Sequence, residues 1–287
     1  MDAGDLISVY KKLQSSFPKD QQSDAITQHI KDISLRSLSY LRDKARKDLI
    51  SKIQGKEYFS FSHRDRISRP VNSALFRDDP KQVEKFLRAL SMNSYEEIPS
   101  EDITKACYSI AMGFCCVVDL NKAGDQKTPA TFFEYFIGHM FAKRFGINPR
   151  KQLDVLNIDM KATLPTDFIF DLGLNKAKFH LPVKTSTRER VIQVWAHQRV
   201  LDGVYGTGRF LGILTCLTET KLDHRSLEVI EICLPDQWRI YQMFIAQLKR
   251  IYYLDVPRPY EALNKVFPKI EVKPLGEFFY EADELVS

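Results

Sequence analysis

The chain has 287 residues, 42 of them Lys or Arg and 37 Asp or Glu, for a net charge of +5 and a pI near 8.8. That length buries a sizeable core without a disulfide or metal staple, and the mild basic excess permits a polyanionic partner without demanding one. Five cysteines, Cys107, Cys115, Cys116, Cys216 and Cys233, sit in apolar segments and form no CxxC pair, so they read as buried free thiols of a reducing, cytoplasmic protein. The opening MDAGDLISVYKK places acids before any apolar run, and no window approaches about eighteen uninterrupted apolar residues. Neither a secretory leader nor a membrane span is expected.

From Asp24 to Ile53 the residues Ile26, Ile30, Ile33, Leu38, Leu41, Ala45, Leu49 and Ile53 recur at helical spacing, with Gly55 as a stop. Arg42, Lys44, Arg46 and Lys47 on this predicted helix form either a solvated face or a DNA-facing one. The following YFSFSHRDRISRPVNS mixes aromatics with Arg64, Arg66 and Arg69 and is broken by Pro70. It reads as an irregular basic connection, suited to phosphate contacts or simply to solubility. Asp79 and Pro80 make an N-cap and first-turn pair for a helix carrying Val83, Phe86, Leu87 and Leu90. Ser100 caps another through Ile103, Cys107, Ile110, Phe114 and Val117. A mainly helical N-terminal region, residues 1–125, is therefore predicted, ending in the polar link DLNKAGDQKTP, with a second region over 126–287.

The second region begins with the helix ATFFEYFIGHMFAKRF, closed by Gly146 and striped by Phe133, Phe136, Ile137, Met140 and Phe141. Glu134 lies beside that stripe, because Ile137, Gly138 and Phe141 stand on the same side of the helix. An acid so placed binds a cation, forms a structural ion pair or sits at the rim. In TDFIFDLG the strand period puts Asp167, Ile169 and Asp171 on one face and Phe168, Phe170 and Leu172 on the other. A turn around Gly173 and Asn175 leads into KFHLPVK, with Phe179, Leu181 and Val183 opposite His180, Pro182 and Lys184.

Neighbouring strand ends then bring the Asp167 carboxylate and the Lys184 ammonium to one spot. Phosphodiester hydrolysis needs such a pairing of cation ligand and electrostatic clamp, because charge must be neutralised and water deprotonated. An ordinary ion pair between strands has the same composition. A helix beginning Arg188, Glu189, Arg190 follows. Arginine's fork matches O6 and N7 of guanine, and a carboxylate accepts from N4 of cytosine, so the triplet is either a base reader beside the scissile phosphate or a charged helix end. Further on, Arg209 to Thr218 and Ser226 to Leu234 read as strands of a hairpin around Lys221 to His224. Pro235 starts a helix through Ile240, Phe244, Leu248 and Ile251, and the rest, ending in the acidic GEFFYEADEL, reads as irregular and partly disordered.

The run KTSTRER from Lys184 to Arg190, with Asp167 upstream and Glu134 on the preceding helix, resembles type II restriction endonucleases of the PD-(D/E)xK superfamily. More narrowly it is similar to the branch that recognises CCGG, CCNGG and CCWGG-type sites through an Arg-(Asp/Glu)-Arg triplet. The resemblance runs from Thr128 to about Leu254. It implies an α/β fold, a restriction-endonuclease-like mixed β-sheet flanked by helices. It also implies a Mg2+-dependent enzyme that cuts double-stranded DNA at a short CC/GG-containing palindrome, acting as a homodimer or larger oligomer.

Carried over residue by residue, Asp167 is the metal-binding acid, Lys184 orients and activates water, and Glu134 is the helix acid in or beside the metal shell. Arg188, Glu189 and Arg190 read bases. Two positions depart from the pattern. Pro182 stands two before the lysine, where most of the superfamily carries Asp or Glu. The position from which this branch supplies the missing acid, on the helix after the triplet, holds His197, next to Gln198. His197 is therefore a candidate ligand or base, Gln198 or Gln193 a candidate amide ligand, and Asp171 a candidate second metal acid because it shares a face with Asp167. A non-specific nuclease of the same fold, in repair or phage defence, and a DNA-binding protein with a decayed nuclease core are the alternatives these departures leave.

Overall fold

The computed structural model describes residues 3–156, 161–174 and 176–286. It opens with α1 (Ala3–Ser16) and α2 (Asp24–Arg42), whose Leu13, Ile26, Ile30 and Ile33 are fully buried. Ser23 caps α2 by accepting the Ala25 amide. The helix predicted to reach Ile53 ends at Arg42, and the chain forms β1 (Ala45–Asp48) and β2 (Ile50–Ser51). Leu49 and Ile53 keep helical spacing, but Tyr58 and Val229 bury them, not a helix neighbour.

The predicted basic connection is also a sheet. In YFSFSH, Phe59 and Phe61 enter the core, and β3 (Tyr58–His63) pairs antiparallel with β1, β4 (Arg66–Ile67) and β5 (Val71–Asn72). Arg64 turns the β3–β4 hairpin at a φ of 55°. Arg69 makes a bidentate pair with Asp119 at 2.8 and 2.9 Å, a structural role that takes it away from phosphates.

Helix α3 (Pro80–Met92) starts as expected, with Asp79 accepting the Lys81 amide and Pro80 in the first turn. In α4 (Ser100–Asn121), Ser100 is the first residue and not the cap; its hydroxyl donates to Glu277 at 2.6 Å. This helix is long and apolar enough to cross a membrane, yet 83% of that stretch is buried inside the fold. α5 (Lys127–Phe145) ends at Gly146 in the left-handed conformation, φ 64°. It shares one apolar core with α1, α2 and α4.

The central sheet is built from β6 (Arg150–Leu156), β7 (Lys161–Phe170), β8 (Lys178–Leu181) and β9 (Val183–Lys184), followed after α6 (Val191–Tyr205) by β10 (Phe210–Cys216). Then come β11 (Thr220–Asp223), β12 (Glu228–Glu231), α7 (Pro235–Phe244), β13 (Leu248–Tyr253), α8 (Arg258–Glu261), β14 (Val272–Pro274) and α9 (Phe278–Val286). The strand order is β14-β13-β10-β8-β7-β6, with β9 pairing to β10 beyond Pro182. β7 is antiparallel to β6 and β8, while β10 is parallel to β8 and β13. The sheet is thus mixed, as expected, with helices on both faces. Phe168, Phe170, Phe179 and Leu181 pack toward α5 and the N-terminal helices; Trp195 and Leu201 of α6 and Trp238 of α7 cover the other side.

Three C-terminal expectations are corrected. β10 does not form a hairpin with β12; β11 and β12 make their own, Thr220 opposite Glu231, and β2 joins it in parallel. The helix from Pro235 stops at Phe244 because Leu248 and Ile251 belong to β13. Its buried side chains are Trp238 and Gln242, with Ile240 and Phe244 exposed. The acidic tail forms α9, whose Phe278, Phe279, Ala282 and Leu285 fill the core while Arg250, Tyr252 and Lys273 hold Glu281. Asn175, half of the turn predicted before β8, lies outside the described residues.

Candidate active site

β7 and β8 place Phe168 opposite Leu181 and Phe170 opposite Phe179. With those four buried on one face, alternation puts Asp167, His180 and Lys184 on the other. Pro182, which has no amide to donate, separates β8 from β9. Immediately after it, the Val183 amide donates to Asp167 Oδ2 at 2.8 Å, and Lys184 Nζ donates to the same oxygen at 2.7 Å. The two side chains keep 25% and 30% of their surface exposed, so the pair is partly open to solvent. Asp167 Oδ1 accepts from none of the described residues.

Helix α6 passes over this end of the sheet. His197 lies with its ring centre 6.3 Å from that of His180. Burial and then the Lys184 ammonium hold its imidazole below the ordinary histidine value, against an opposing pull from Asp167. His180 is buried, and mainly for that reason its pKa is held down to about 4. Its Nδ1 lies 3.1 Å from Gln198 Oε1, and the Gln198 amide nitrogen donates to Asp202 and the Phe210 carbonyl. Gln198 is thus committed to holding His180 and β10 in place, and Gln193 is exposed.

The other two acids stand apart. One turn before Gly138 on α5, Glu134 pairs with Lys151 at 2.6 Å, and the Lys151 ammonium sits 5.1 Å from the ring centre of Phe168, the neighbour of Asp167. Asp171 lies four residues beyond Asp167, about 13 Å along an extended chain. It is ion-paired with Lys178 in a pocket of about 400 Å³ lined also by Arg150 and Arg209. The structure brings Asp167, Lys184 and His197 together; it does not bring Asp171 to them.

The triplet forms a single 3₁₀ turn, Arg188–Arg190, and α6 begins only at Val191. Arg188 has a φ of 35°, uncommon for a residue with a side chain. Arg188 and Arg190 are exposed, and neither guanidinium is paired with an acid among the described residues. The Glu189 side chain lies outside the described ones. A residue that sequence reasoning missed is Glu219, a buried acid that accepts from Ser186 and Thr187, the link between Lys184 and the triplet. Its one signal is an acid directly after the apolar run FLGILTCLT.

Among the described residues no group of three or more His, Cys, Asp or Glu side chains is arranged to hold a metal ion. Mg2+ needs less: it keeps several waters and binds through one or two carboxylates plus substrate phosphate oxygens. A partly exposed Asp167 whose Oδ1 accepts from none of the described residues fits a cation that arrives with its phosphate.

The mixed central sheet flanked by helices, with helices at the N-terminus, is a restriction-endonuclease-like fold. Among solved structures, the chain matches the type IIP restriction endonuclease Kpn2I with a TM-score of 0.82 at 24% identity, over 97% of this chain and 96% of that one. It also matches the restriction endonuclease PspGI, solved in complex with substrate DNA, with a TM-score of 0.40 at 13% identity, over 71% of this chain and 91% of that one. No protein-family model and no curated protein matches the sequence. The likeness to Kpn2I takes in the N-terminal helices and small sheet, which the sequence resemblance leaves aside.

Proposed function

We propose that this protein is a Mg2+-dependent endonuclease that hydrolyses double-stranded DNA at a short CC/GG-containing palindromic site, as in restriction-modification. The observation that carries this reading is the Asp167–Lys184 contact at 2.7 Å, with the exposed Arg188 beginning after three residues of chain and Arg190 two beyond it. Asp167 would hold the cation through Oδ1, which accepts from none of the described residues, with Glu134 on the neighbouring helix as the further acid. Bound Mg2+ would neutralise charge on the scissile phosphate and make a water easier to deprotonate. Lys184 donates to Asp167 at 2.7 Å and directs its remaining N–H donors at water or a phosphate oxygen. His197, neutral because of burial and Lys184, is placed to accept a proton from that water. In this reading the Asp171 carboxylate serves Lys178.

Arg188 and Arg190 point into the DNA groove and, with Glu189, read the CC/GG edges. A palindromic target is matched by a homodimer, in which residues 1–125 extend the DNA or subunit surface beside a nuclease core of 126–287. Digestion of a plasmid with Mg2+ gives discrete fragments, and Lys184→Ala gives none. A smear with no preferred ends, or full activity of that variant, ends the reading. A second reading, DNA binding by a decayed nuclease, is favoured by the single carboxylate beside Lys184. It shows as tight sequence-specific binding with neither cleavage nor Mg2+ uptake in calorimetry.

A further inference from the structure

Glu219, just past β10, is 1% exposed, and no cation neutralises it among the described residues. A carboxyl group out of water is tolerable only when its acceptor oxygens are satisfied. Four neutral donors do so. The Thr187 amide and hydroxyl reach Oε1 at 2.7 and 2.6 Å, the Tyr253 hydroxyl reaches the same atom at 2.8 Å, and the Ser186 hydroxyl reaches Oε2 at 2.7 Å. Tyr253 is itself fully buried at the end of β13, so the carboxylate is anchored to the sheet on one side and grips a loop on the other.

That loop joins the two halves of the proposed site. Before it, the Lys184 and Thr185 carbonyls accept the amides of Leu217 and Thr218 at 3.1 and 3.2 Å, which continues the sheet. After it, the Thr187 carbonyl accepts the Arg190 amide at 3.0 Å and closes the triplet's turn. Between these fixed ends, Ser186 and Thr187 are held by Glu219. The unfavourable backbone of Arg188, φ 35°, persists where its surroundings over-determine it.

We infer that Glu219 is a positioning residue: its carboxylate locks the Ser186–Thr187 link and so sets the register between Lys184 and the Arg188–Arg190 pair, making base reading and bond cleavage one rigid unit. This rests on the reading of those arginines as base readers. Base-edge hydrogen bonds are directional, whereas contacts to phosphate give affinity without sequence information. Loosening the link therefore costs discrimination between sequences more than it costs DNA affinity.

The test uses the full chain without divalent cation, so that no duplex is cut. Two quantities are measured for wild type, Glu219→Ala, Glu219→Gln and Ser186→Ala. One is amide hydrogen exchange over residues 186–190; the other is the ratio of affinities for a duplex that the wild type enriches from a random pool and for its scrambled counterpart. In Glu219→Ala the exchange rises and the ratio falls, each at least tenfold, with affinity for the scrambled duplex nearly unchanged. Glu219→Gln, which keeps shape and one acceptor, restores most of both. Ser186→Ala, which removes one donor of four, gives a smaller effect in the same direction and stands in if Glu219→Ala does not fold. Unchanged exchange in Glu219→Ala and Ser186→Ala overturns the inference, as does a loosened link with an intact affinity ratio. If the wild type enriches no sequence while Glu219→Ala still loosens the link, base reading is what has failed, and the hold of Glu219 on the link stands.

Discussion

One oxygen of Asp167 accepts both the Lys184 ammonium and the Val183 amide, so the strand carrying the lysine is itself built around the acid. Asp167→Asn offers an NH2 or a neutral oxygen where two donors converge. Both Asp167→Asn and Lys184→Ala are expected to lower single-turnover cleavage roughly 10³-fold, about 4 kcal/mol of transition-state stabilisation, with little change in melting temperature because both side chains are partly exposed. Cleavage kinetics beside a thermal melt decide this; a rate within tenfold of wild type removes the pair from the chemistry.

Asp171 is expected to behave otherwise. Its partner is Lys178, at a partly exposed strand end where an ion pair contributes at most about 1 kcal/mol. Asp171→Asn therefore leaves the cleavage rate close to that of wild type, whereas a loss as deep as that of Asp167→Asn would put Asp171 on the cation.

The exposed guanidinium groups of Arg188 and Arg190 pair with no acid among the described residues. Replacing either by Ala is expected to cost about 1–3 kcal/mol of binding at the preferred site, concentrated at G·C positions. Affinity for unrelated duplex changes little. An equal loss on every sequence in a competition assay would make them phosphate contacts.

The Phe168, Phe170, Phe179 and Leu181 alternation was legible in the sequence because each strand buries one face, and it carried Asp167 and Lys184 with it. Residues 45–53 were not legible. Leu49 and Ile53 are four apart, which is helical spacing, but their burial comes from Tyr58 and Val229. Leu248 and Ile251 continued the spacing of α7 in the same accidental way. Arg64 and Arg69 look alike in composition, and only a distant acid, Asp119, separates a structural arginine from an exposed one. Glu219 was missed for the same reason, since its partners Thr187 and Tyr253 lie 32 and 34 residues away in the chain.

Two buried histidines make stability depend on pH. His139 has its Nδ1 at 2.6 Å from the Gln21 carbonyl and its Nε2 at 2.8 Å from the Thr27 hydroxyl, an arrangement that suits a neutral ring. Burial holds both His139 and His180 down to about 4, while the unfolded chain protonates near 6.5. Between these values the unfolded state binds more protons, so the stabilisation is complete above about 6.5 and is lost as the pH falls toward 4. Acidification from about pH 6.5 to 5 removes about 2 kcal/mol for each ring. The melting temperature is expected to drop over that interval, and to drop less steeply in His139→Gln; a flat profile for wild type would mean the rings are not buried as described.

Gly138 is where α5 touches β7. A Cβ there would come within 2.4 Å of Phe168 Cζ and 2.8 Å of two more ring carbons. The ring is fully buried and packed by Phe17 and Phe170, so it cannot swing aside. Alanine is favoured over glycine inside a helix by about 1 kcal/mol, but overfilling a packed core costs about 1–3 kcal/mol or more, and with this overlap the steric cost wins. Because Phe168 adjoins Asp167, relief of the clash displaces the carboxylate. Gly138→Ala is therefore expected to lower both the melting temperature and the cleavage rate, with binding through Arg188 and Arg190 less affected. Gly113→Ala is the control, since its Cβ would meet Leu38 and Ser37 at 3.6 and 3.7 Å, ordinary contact distances, and it should be neutral or slightly stabilising. If Gly138→Ala melts like Gly113→Ala, the helix and the strand are farther apart than the structure places them.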